Sequence, residues 1–183
     1  MRIIGGHARG RRLQVPKGRD VRPTPDRVRE TLFNWLQGEL EGAAVLDLFA
    51  GSGALGLEAL SRGAARVTFV ENSRPALAAL TANLETVGEP PGAEVVRTSA
   101  WRFLRGAPDR PYELVFLDPP YGQGLAAQAA QALEEGGWLQ ARARIYVETG
   151  VEEGPPDVPA HWRQHRAGTC GEVAYRLYDR EPA

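Results

Sequence analysis

Short apolar runs of strand length alternate with helical patterns along most of this chain of 183 residues. The runs that predict strands are 44–49, 66–71, 94–99, 112–118 and 144–149. The stretches between them that predict helices are 54–62, 74–87 and 124–136. Because consecutive parallel strands need a helical crossover, this alternation predicts a parallel sheet that helices cover on both faces.

The last part of the chain departs from this alternation. Residues 161–168 and 172–179 leave no room for a helix between them, so they predict an antiparallel pair. The whole pattern predicts an α/β protein with a seven-stranded, mostly parallel sheet and a C-terminal antiparallel hairpin. This order of elements resembles the Rossmann-like fold of S-adenosylmethionine-dependent methyltransferases.

Positive charge is concentrated near the N-terminus. Residues 1–29 hold nine basic and two acidic residues, or +7, whereas the remainder holds 13 basic and 21 acidic residues, or −8. We interpret residues 1–20, which are rich in glycine and arginine, as a basic arm or small hairpin, and residues 21–183 as the main domain. A basic arm on an acidic body favours contact with a polyanion, although a solvated surface tail has the same composition.

A helix is predicted to follow the arm. Thr24 is placed to cap it, and Pro25 suits its first turn. Apolar residues then recur at the spacing of one helical face, at Val28, Leu32, Trp35 and Leu36.

A glycine-rich loop, Gly51 to Gly56, follows the first predicted strand with the pattern G-x-G-x-x-G. Glycines permit a tight turn and let a ligand approach the backbone closely. Glu71 ends the next predicted strand, where its carboxylate can accept hydrogen bonds from two ribose hydroxyls. The pattern predicts a cofactor that contains a nucleoside. NAD, FAD and S-adenosylmethionine all fit, and a turn without a ligand can also carry this pattern.

An acidic residue just before the loop discriminates between these cofactors. Asp47 would repel the pyrophosphate of a dinucleotide, but it would attract the ammonium and sulfonium of S-adenosylmethionine. Capping of the loop is the alternative role for Asp47. At the end of the third predicted strand, Ser99 or the backbone of Ala100 is placed to meet the adenine amino group, with Trp101 or Phe103 against the ring.

The stretch Asp118-Pro119-Pro120-Tyr121 follows the fourth predicted strand. Prolines favour extended backbone in the residue before them and have no N–H to donate. The stretch therefore predicts a stiff ridge with the Asp118 carboxylate and the Pro119 carbonyl as neighbouring acceptors. Two such acceptors match the hydrogens of an exocyclic amine, and Tyr121 offers a ring face to a base. A turn that only ends a strand is the simpler alternative.

Five segments resemble the bacterial RsmD family of methyltransferases, and together they extend over nearly the whole chain. They are residues 2–13, 22–36, 47–64, 118–125 and 173–181. The resemblance implies transfer of a methyl group from S-adenosylmethionine to N2 of one guanine in 16S rRNA within the small ribosomal subunit. It makes residues 21–183 the catalytic domain and the basic arm an rRNA contact.

The residues and the resemblance together predict three sets of contacts. The cofactor contacts are Asp47, Phe49, Gly51, Ser52, Gly53, Glu71, Ser99 and Ala100. The catalytic residues are Asp118, Pro119, Pro120 and Tyr121. The RNA contacts are Arg9, Arg11, Arg12, Arg22, Thr24 and Arg27. An exposed, ion-paired helix face is the alternative reading of the arginine-rich start of the first helix.

Other functions compete with this prediction. An N6-adenine methyltransferase of DNA or RNA would use the same Asp-Pro-Pro-Tyr motif, usually with a separate target-recognition segment. A glutamine N5 methyltransferase would be expected to carry Asn at position 118, and a cytosine C5 enzyme needs a nucleophilic cysteine near the base. A NAD-dependent dehydrogenase and a non-catalytic RNA-binding module are more distant alternatives, because neither needs Asp47 together with the Asp118 motif.

Composition indicates the cellular compartment that we expect for the protein. The single cysteine, Cys170, suits a reducing compartment, and the first residues lack the apolar stretch of a secretory signal, so we expect a cytoplasmic protein. No apolar run reaches the roughly 18 residues of a membrane span. The three histidines lack the spacing of metal ligands, so we expect no metal site. We expect the protein to act as a monomer.

Overall fold

Seven strands and five helices form the described part of the chain, which is residues 1–17 and 23–182 of a computed structural model. The strands are β1 (Ala44–Asp47), β2 (Arg66–Glu71), β3 (Ala93–Arg97), β4 (Tyr112–Leu117), β5 (Leu139–Gly150), β6 (Trp162–Cys170) and β7 (Val173–Arg180). The helices are α1 (Asp26–Trp35), α2 (Ala54–Ser61), α3 (Arg74–Thr86), α4 (Ala100–Leu104) and α5 (Leu125–Glu135), with a 3-10 turn at Val151–Glu153. Within these residues, no helix is both long and apolar enough to cross a membrane.

The strands join one sheet in the order β3-β2-β1-β4-β5-β7-β6. Strands β1 to β5 pair in parallel, whereas β7 pairs antiparallel with both β5 and β6. The predicted mostly parallel sheet with a C-terminal antiparallel hairpin is confirmed. The strand order reverses between β1 and β4, and α/β sheets bind ligands beyond the carboxyl ends of the strands at such a point.

Apolar layers cover both faces of the sheet. On one face, Phe116 packs against Phe33 of α1, with ring centroids 5.9 Å apart. On the other face, Val115 and Leu117 pack in a layer that also contains Leu133 of α5. Successive side chains of a strand point to opposite faces, which explains why one apolar strand supplies both layers.

Two local expectations are wrong. Thr24 does not cap α1, because Pro25 is the N-cap residue and the Thr24 hydroxyl donates instead to Glu148. The predicted third strand stops at Arg97, and Ser99 caps the short helix α4, which we did not predict. A five-residue helix is too short to show a clear helical period in the sequence.

The N-terminal residues form a small hairpin that packs on the body. Residues 2 and 12 form an antiparallel bridge, and Ile3 and Leu13 are buried in the apolar layer that includes α1 and α2. The hairpin therefore has a fixed position, although its role as a separate RNA-contacting unit stays a prediction.

Two buried side chains of α2 hold the backbone of this hairpin. Glu58 accepts hydrogen bonds from the N–H groups of Ile4 (2.8 Å) and Gly5 (2.9 Å). Ser61 Oγ accepts from the N–H of Ala8 (2.9 Å). These bonds satisfy turn amides that would otherwise lack partners near the core.

Arg29 completes this anchor from α1. Its guanidinium is fully buried, 3.5 Å from Glu58, and it donates to Asp26 (2.6 Å) and to the carbonyl of Arg2 (3.0 Å). One buried ion pair thus joins the hairpin, α1 and α2.

Candidate active site

A cleft of about 1030 Å³ opens beyond the carboxyl ends of β1, β2 and β4. Predicted site residues in its wall are Phe49, Gly51, Glu71, Ser99, Ala100, Asp118, Pro119, Pro120 and Tyr121. A smaller pocket of about 80 Å³ adjoins it and is lined by Asp47, Ser52 and Thr24 among others. Pro16, Phe49, Gly51 and Asp118 line both spaces. The fold therefore brings the glycine loop and the Asp-Pro-Pro-Tyr ridge to one site.

Glu71 ties the glycine loop to the end of β2. Its Oε1 accepts from the N–H of Gly51 (2.8 Å), and its Oε2 accepts from the N–H groups of Asn72 (2.9 Å) and Ser73 (2.8 Å). A carboxylate has about four acceptor positions. One position therefore stays open, and acceptance from two ribose hydroxyls would need one backbone bond to give way.

The glycines of the loop have different reasons to be glycine. Gly51 has a φ of +57° and open space where a Cβ would stand, at the wall of the cleft. A Cβ on Gly53 would lie 2.4 Å from Leu80, and one on Gly56 would lie 2.3 Å from Phe69. A φ of +83° and packing inside the protein together account for Gly53, and packing accounts for Gly56. Contact of Gly53 with the cofactor stays a prediction.

The predicted adenine end of the cleft contains Ser99, Ala100 and Trp101. The Ser99 hydroxyl oxygen caps α4 by accepting from the N–H of Arg102 (3.1 Å). Trp101 stands edge-on to Phe49, with ring centroids 6.1 Å apart. The expected ring contact of Phe103 is not supported, because Phe103 packs on Trp138, with centroids 4.6 Å apart, outside the cleft wall.

Asp47 lies at the end of β1, buried beneath the glycine loop. Its Oδ2 accepts from the N–H of Gly56 (3.1 Å), so the capping role considered for it is observed. Burial, together with the negative charge of Glu71, raises the pKa of Asp47 to about 7 against the opposing effect of that hydrogen bond. A neighbouring cation would favour the ionised form of this carboxyl group.

The Asp-Pro-Pro-Tyr ridge begins directly after β4. Asp118 is half-buried, Pro119 is buried and Pro120 is exposed. Tyr121 lies against the backbone at Gly150, where a Cβ would stand 3.4 Å from its ring. The ridge forms one wall of the cleft and carries Asp118 at the junction with the smaller pocket.

Glu148, near the end of β5, is a site residue that we did not predict. Its Oε1 accepts from the Tyr121 hydroxyl (2.7 Å), and its Oε2 accepts from the hydroxyls of Tyr146 (2.8 Å) and Thr24 (2.9 Å). The sequence does contain a signal, because a carboxylate directly follows the short apolar run of residues 145–147 in β5. Only the register, which pairs Phe116 with Tyr146, shows that this carboxylate stands beside the ridge.

Asp118 and Glu148 share the Thr24 hydroxyl, which lies 3.4 Å from Asp118 Oδ2. Burial holds the pKa of Asp118 well above its usual range, and the negative charges of Glu148 and Asp47 add to this effect. The hydrogen bond with Thr24 acts in the opposite direction. The raised pKa of Asp118 favours its protonated form, and a nearby positive charge would favour the carboxylate.

The predicted RNA contacts lie in two environments. Arg9, Arg11, Arg12 and Arg27 are exposed, whereas Thr24 is buried and directed at the protein's own carboxylates. Arg22 lies outside the described residues. RNA contact by each of them stays a prediction. Among the described residues, no group of three or more His, Cys, Asp or Glu side chains could hold a metal ion.

Known proteins match this chain over nearly its full length. The protein family described as "Conserved hypothetical protein 95" matches residues 1–179. Ribosomal RNA small subunit methyltransferase D of Escherichia coli is 52% identical over 181 residues, which are 99% of this chain and 90% of that protein. The chain belongs to the RsmD family. The predicted membership is confirmed.

Solved structures agree with this membership. That of yhhF from Escherichia coli is 50% identical, covers 100% of this chain and 99% of its own, and has a TM-score of 0.90. An RNA methyltransferase from Salinibacter ruber in complex with S-adenosyl-L-homocysteine is 14% identical, with coverage of 88% and 95% and a TM-score of 0.65. The predicted fold of S-adenosylmethionine-dependent methyltransferases is confirmed.

Proposed function

We propose that this RsmD-family protein transfers a methyl group from S-adenosylmethionine to the exocyclic N2 amine of one guanine in 16S rRNA of the small ribosomal subunit. The observation that carries this proposal is the single cleft lined by both the glycine loop and the Asp118 ridge. Membership of a family whose E. coli relative is named a small-subunit rRNA methyltransferase supports the substrate class.

The residues of the cleft fit S-adenosylmethionine better than a dinucleotide. Asp47, Glu71 and Asp118 place carboxylates around the loop, where they favour an ammonium and a sulfonium and oppose a pyrophosphate. Glu71 retains an acceptor position for a ribose hydroxyl. When bound, S-adenosylmethionine supplies a methyl group that a nucleophile can attack.

The ridge provides the chemistry for an aromatic amine. The lone pair of such an amine is delocalised into the ring, so the amine is a poor nucleophile. Asp118 and the Pro119 carbonyl accept one hydrogen bond each from the amine. These two hydrogen bonds draw the nitrogen towards a tetrahedral shape. Asp118 and the Pro119 carbonyl would thereby direct the lone pair of N2 towards the methyl group that bound S-adenosylmethionine would supply. Asp118 takes the proton that N2 loses, and positioning with charge stabilisation supplies most of the acceleration.

We propose that the exposed arginines of the hairpin, Arg9, Arg11 and Arg12, contact rRNA. Changing Arg9, Arg11 and Arg12 together to Gln should weaken rRNA binding and make the salt dependence shallower, by about 0.7 to 0.9 in the log–log slope for each phosphate that is no longer neutralised. Filter binding at several salt concentrations measures both quantities. Changing the exposed Arg105, Arg110 and Arg142 to Gln is the matched control, and equal slopes for the two triple variants would move the RNA contact elsewhere.

Binding of S-adenosylmethionine is expected to release protons near neutral pH. With a pKa of about 7, Asp47 is partly protonated there, and a cation beside it favours the carboxylate. Affinity should therefore fall as the pH drops below 7. Calorimetry in two buffers of different ionisation enthalpy measures the released protons, and Asp47→Asn should reduce the release. Equal heats in both buffers would place the cationic end of the ligand away from Asp47.

The proposal is tested by transfer of a labelled methyl group from S-adenosylmethionine to three acceptors. These are small ribosomal subunits that lack the modification, naked 16S rRNA and DNA. We expect label on small-subunit RNA and none on DNA. Label on DNA alone would favour the alternative of an N6-adenine methyltransferase, which uses the same ridge. Label on no nucleic acid would favour NAD as the ligand of the cleft. We further propose that the protein acts as a cytoplasmic monomer.

A further inference from the structure

Glu148 is buried, charged and unused by the reaction as described above. It lies at the end of a core strand, and its side chain has three hydroxyl partners, Tyr121, Tyr146 and Thr24. A buried carboxylate that only stabilises the fold is rarely better than an apolar side chain of similar size, since desolvation offsets much of its hydrogen bonding. Three donors directed at one carboxylate hold it in a fixed place.

Two of these partners reach the catalytic ridge. Tyr121 is itself a ridge residue, and its 2.7 Å hydrogen bond to Glu148 limits rotation of the ring that would face the target base. Thr24 connects Glu148 (2.9 Å) to Asp118 (3.4 Å). Glu148 is therefore connected to both ends of the four-residue motif. It bonds directly to Tyr121, and the Thr24 hydroxyl links it to Asp118.

We propose that Glu148 is a positioning residue of the methyl-transfer reaction, which fixes the Tyr121 ring and sets the charge on Asp118. This inference rests on the function proposed above. A negative charge beside Asp118 makes that carboxyl group a stronger proton acceptor, which suits the residue that takes a proton from the methylated amine. The tyrosine and threonine hydroxyls hold the Glu148 carboxylate in its place beside the ridge.

The groups that face Asp118 determine the direction of the effect. Glu148 on β5 and Asp47 on β1 both raise its pKa, while Thr24 lowers it. The phenols of Tyr121 and Tyr146 face Glu148 from the ridge and from β5. Removal of the charge on Glu148 therefore lowers the pKa of Asp118, because only one of its two negative neighbours remains.

The test compares Glu148→Gln, which removes the charge, with Tyr121→Phe, which removes one hydrogen bond and keeps the charge. In Glu148→Gln, the acid limb of the pH profile of kcat should move to lower pH by roughly one unit, with a lower maximal rate. In Tyr121→Phe, the limb should stay in place while kcat falls. Glu152→Gln, an exposed change in the next turn, is the matched control and should retain the wild-type profile.

A second measurement does not depend on methyl transfer. Carbon-13 NMR of labelled aspartate carboxyl groups, assigned with Asp118→Asn, follows the titration of Asp118 in wild type and in Glu148→Gln. A shift to lower pH supports the proposal even if the acceptor is not guanine. Unmoved titration and an unmoved acid limb would overturn it and reduce Glu148 to a structural residue. If Glu148→Gln is unstable, it is replaced by Glu148→Met, an apolar change of similar size that also removes the charge and should give the same shift to lower pH.

Discussion

Asp118→Ala is expected to lower the rate of methyl transfer by about a thousandfold, the scale seen when a preorganised hydrogen-bonding group is removed from a transition state. The variant loses the acceptor for one amine hydrogen and the group that takes the proton. Affinity for S-adenosylmethionine should stay within a few fold, because the glycine loop and the carboxylates of Asp47 and Glu71 are unchanged. Rates under saturating cofactor, with affinity measured separately by calorimetry, distinguish the two effects.

Two further variants test whether the loss of methyl-transfer rate is specific to the Asp118 carboxylate. Asp109→Ala removes an exposed carboxylate from the loop before β4 and should leave the rate unchanged. Asp118→Asn keeps one acceptor oxygen, so it should retain more activity than Asp118→Ala. Near-normal turnover of Asp118→Ala would contradict the amine-holding mechanism.

Glu58→Ala is expected to lower the free energy of unfolding by roughly 3 to 5 kcal/mol, because it removes the buried charge partner of Arg29, which among the described residues then keeps only its ion pair with the exposed Asp26. It also removes the acceptor for the N–H groups of Ile4 and Gly5. Urea denaturation measures the loss of stability. Hydrogen exchange should show loss of protection at these two amides before the sheet is affected.

The matched control for this change is Glu85→Ala, a surface position on α3. Its free energy of unfolding should stay within about 0.5 kcal/mol of wild type, as for most surface substitutions. If Glu58→Ala were as mild as this control, the buried pair of Glu58 with Arg29 would not be the main anchor of the hairpin.

The parallel part of the sheet was predictable because its strands are apolar runs and its long crossovers are helices with their own period, and the hairpin because no helix fits between its two strands. The glycine loop and the Asp118 ridge were predictable for a similar reason, since their residues are contiguous in the chain. Helix α4 was not, because five residues are too few for a helical pattern.

The contacts of Thr24 and Glu148 beside the Asp118 ridge could not be predicted from sequence. Thr24, Asp118 and Glu148 are far apart along the chain, and only the strand register and the packing of the segment before α1 bring them together. Thr24 has a residue type that commonly caps helices, and this local preference gave way to a hydrogen bond with a distant carboxylate. The anchoring of the hairpin by Glu58 could not be predicted for the same reason, since its partners Ile4, Gly5 and Arg29 are distant along the chain.

The central claim is that the ridge holds an exocyclic amine. It is tested most directly by digesting methylated small-subunit RNA to nucleosides and identifying the product by mass spectrometry against synthetic standards. We expect N2-methylguanosine, which disappears with Asp118→Ala. N6-methyladenosine would keep the amine mechanism and change the base. A methyl group on a ring nitrogen, such as 1-methylguanosine or 7-methylguanosine, would contradict the claim, because no exocyclic amine would then be the nucleophile.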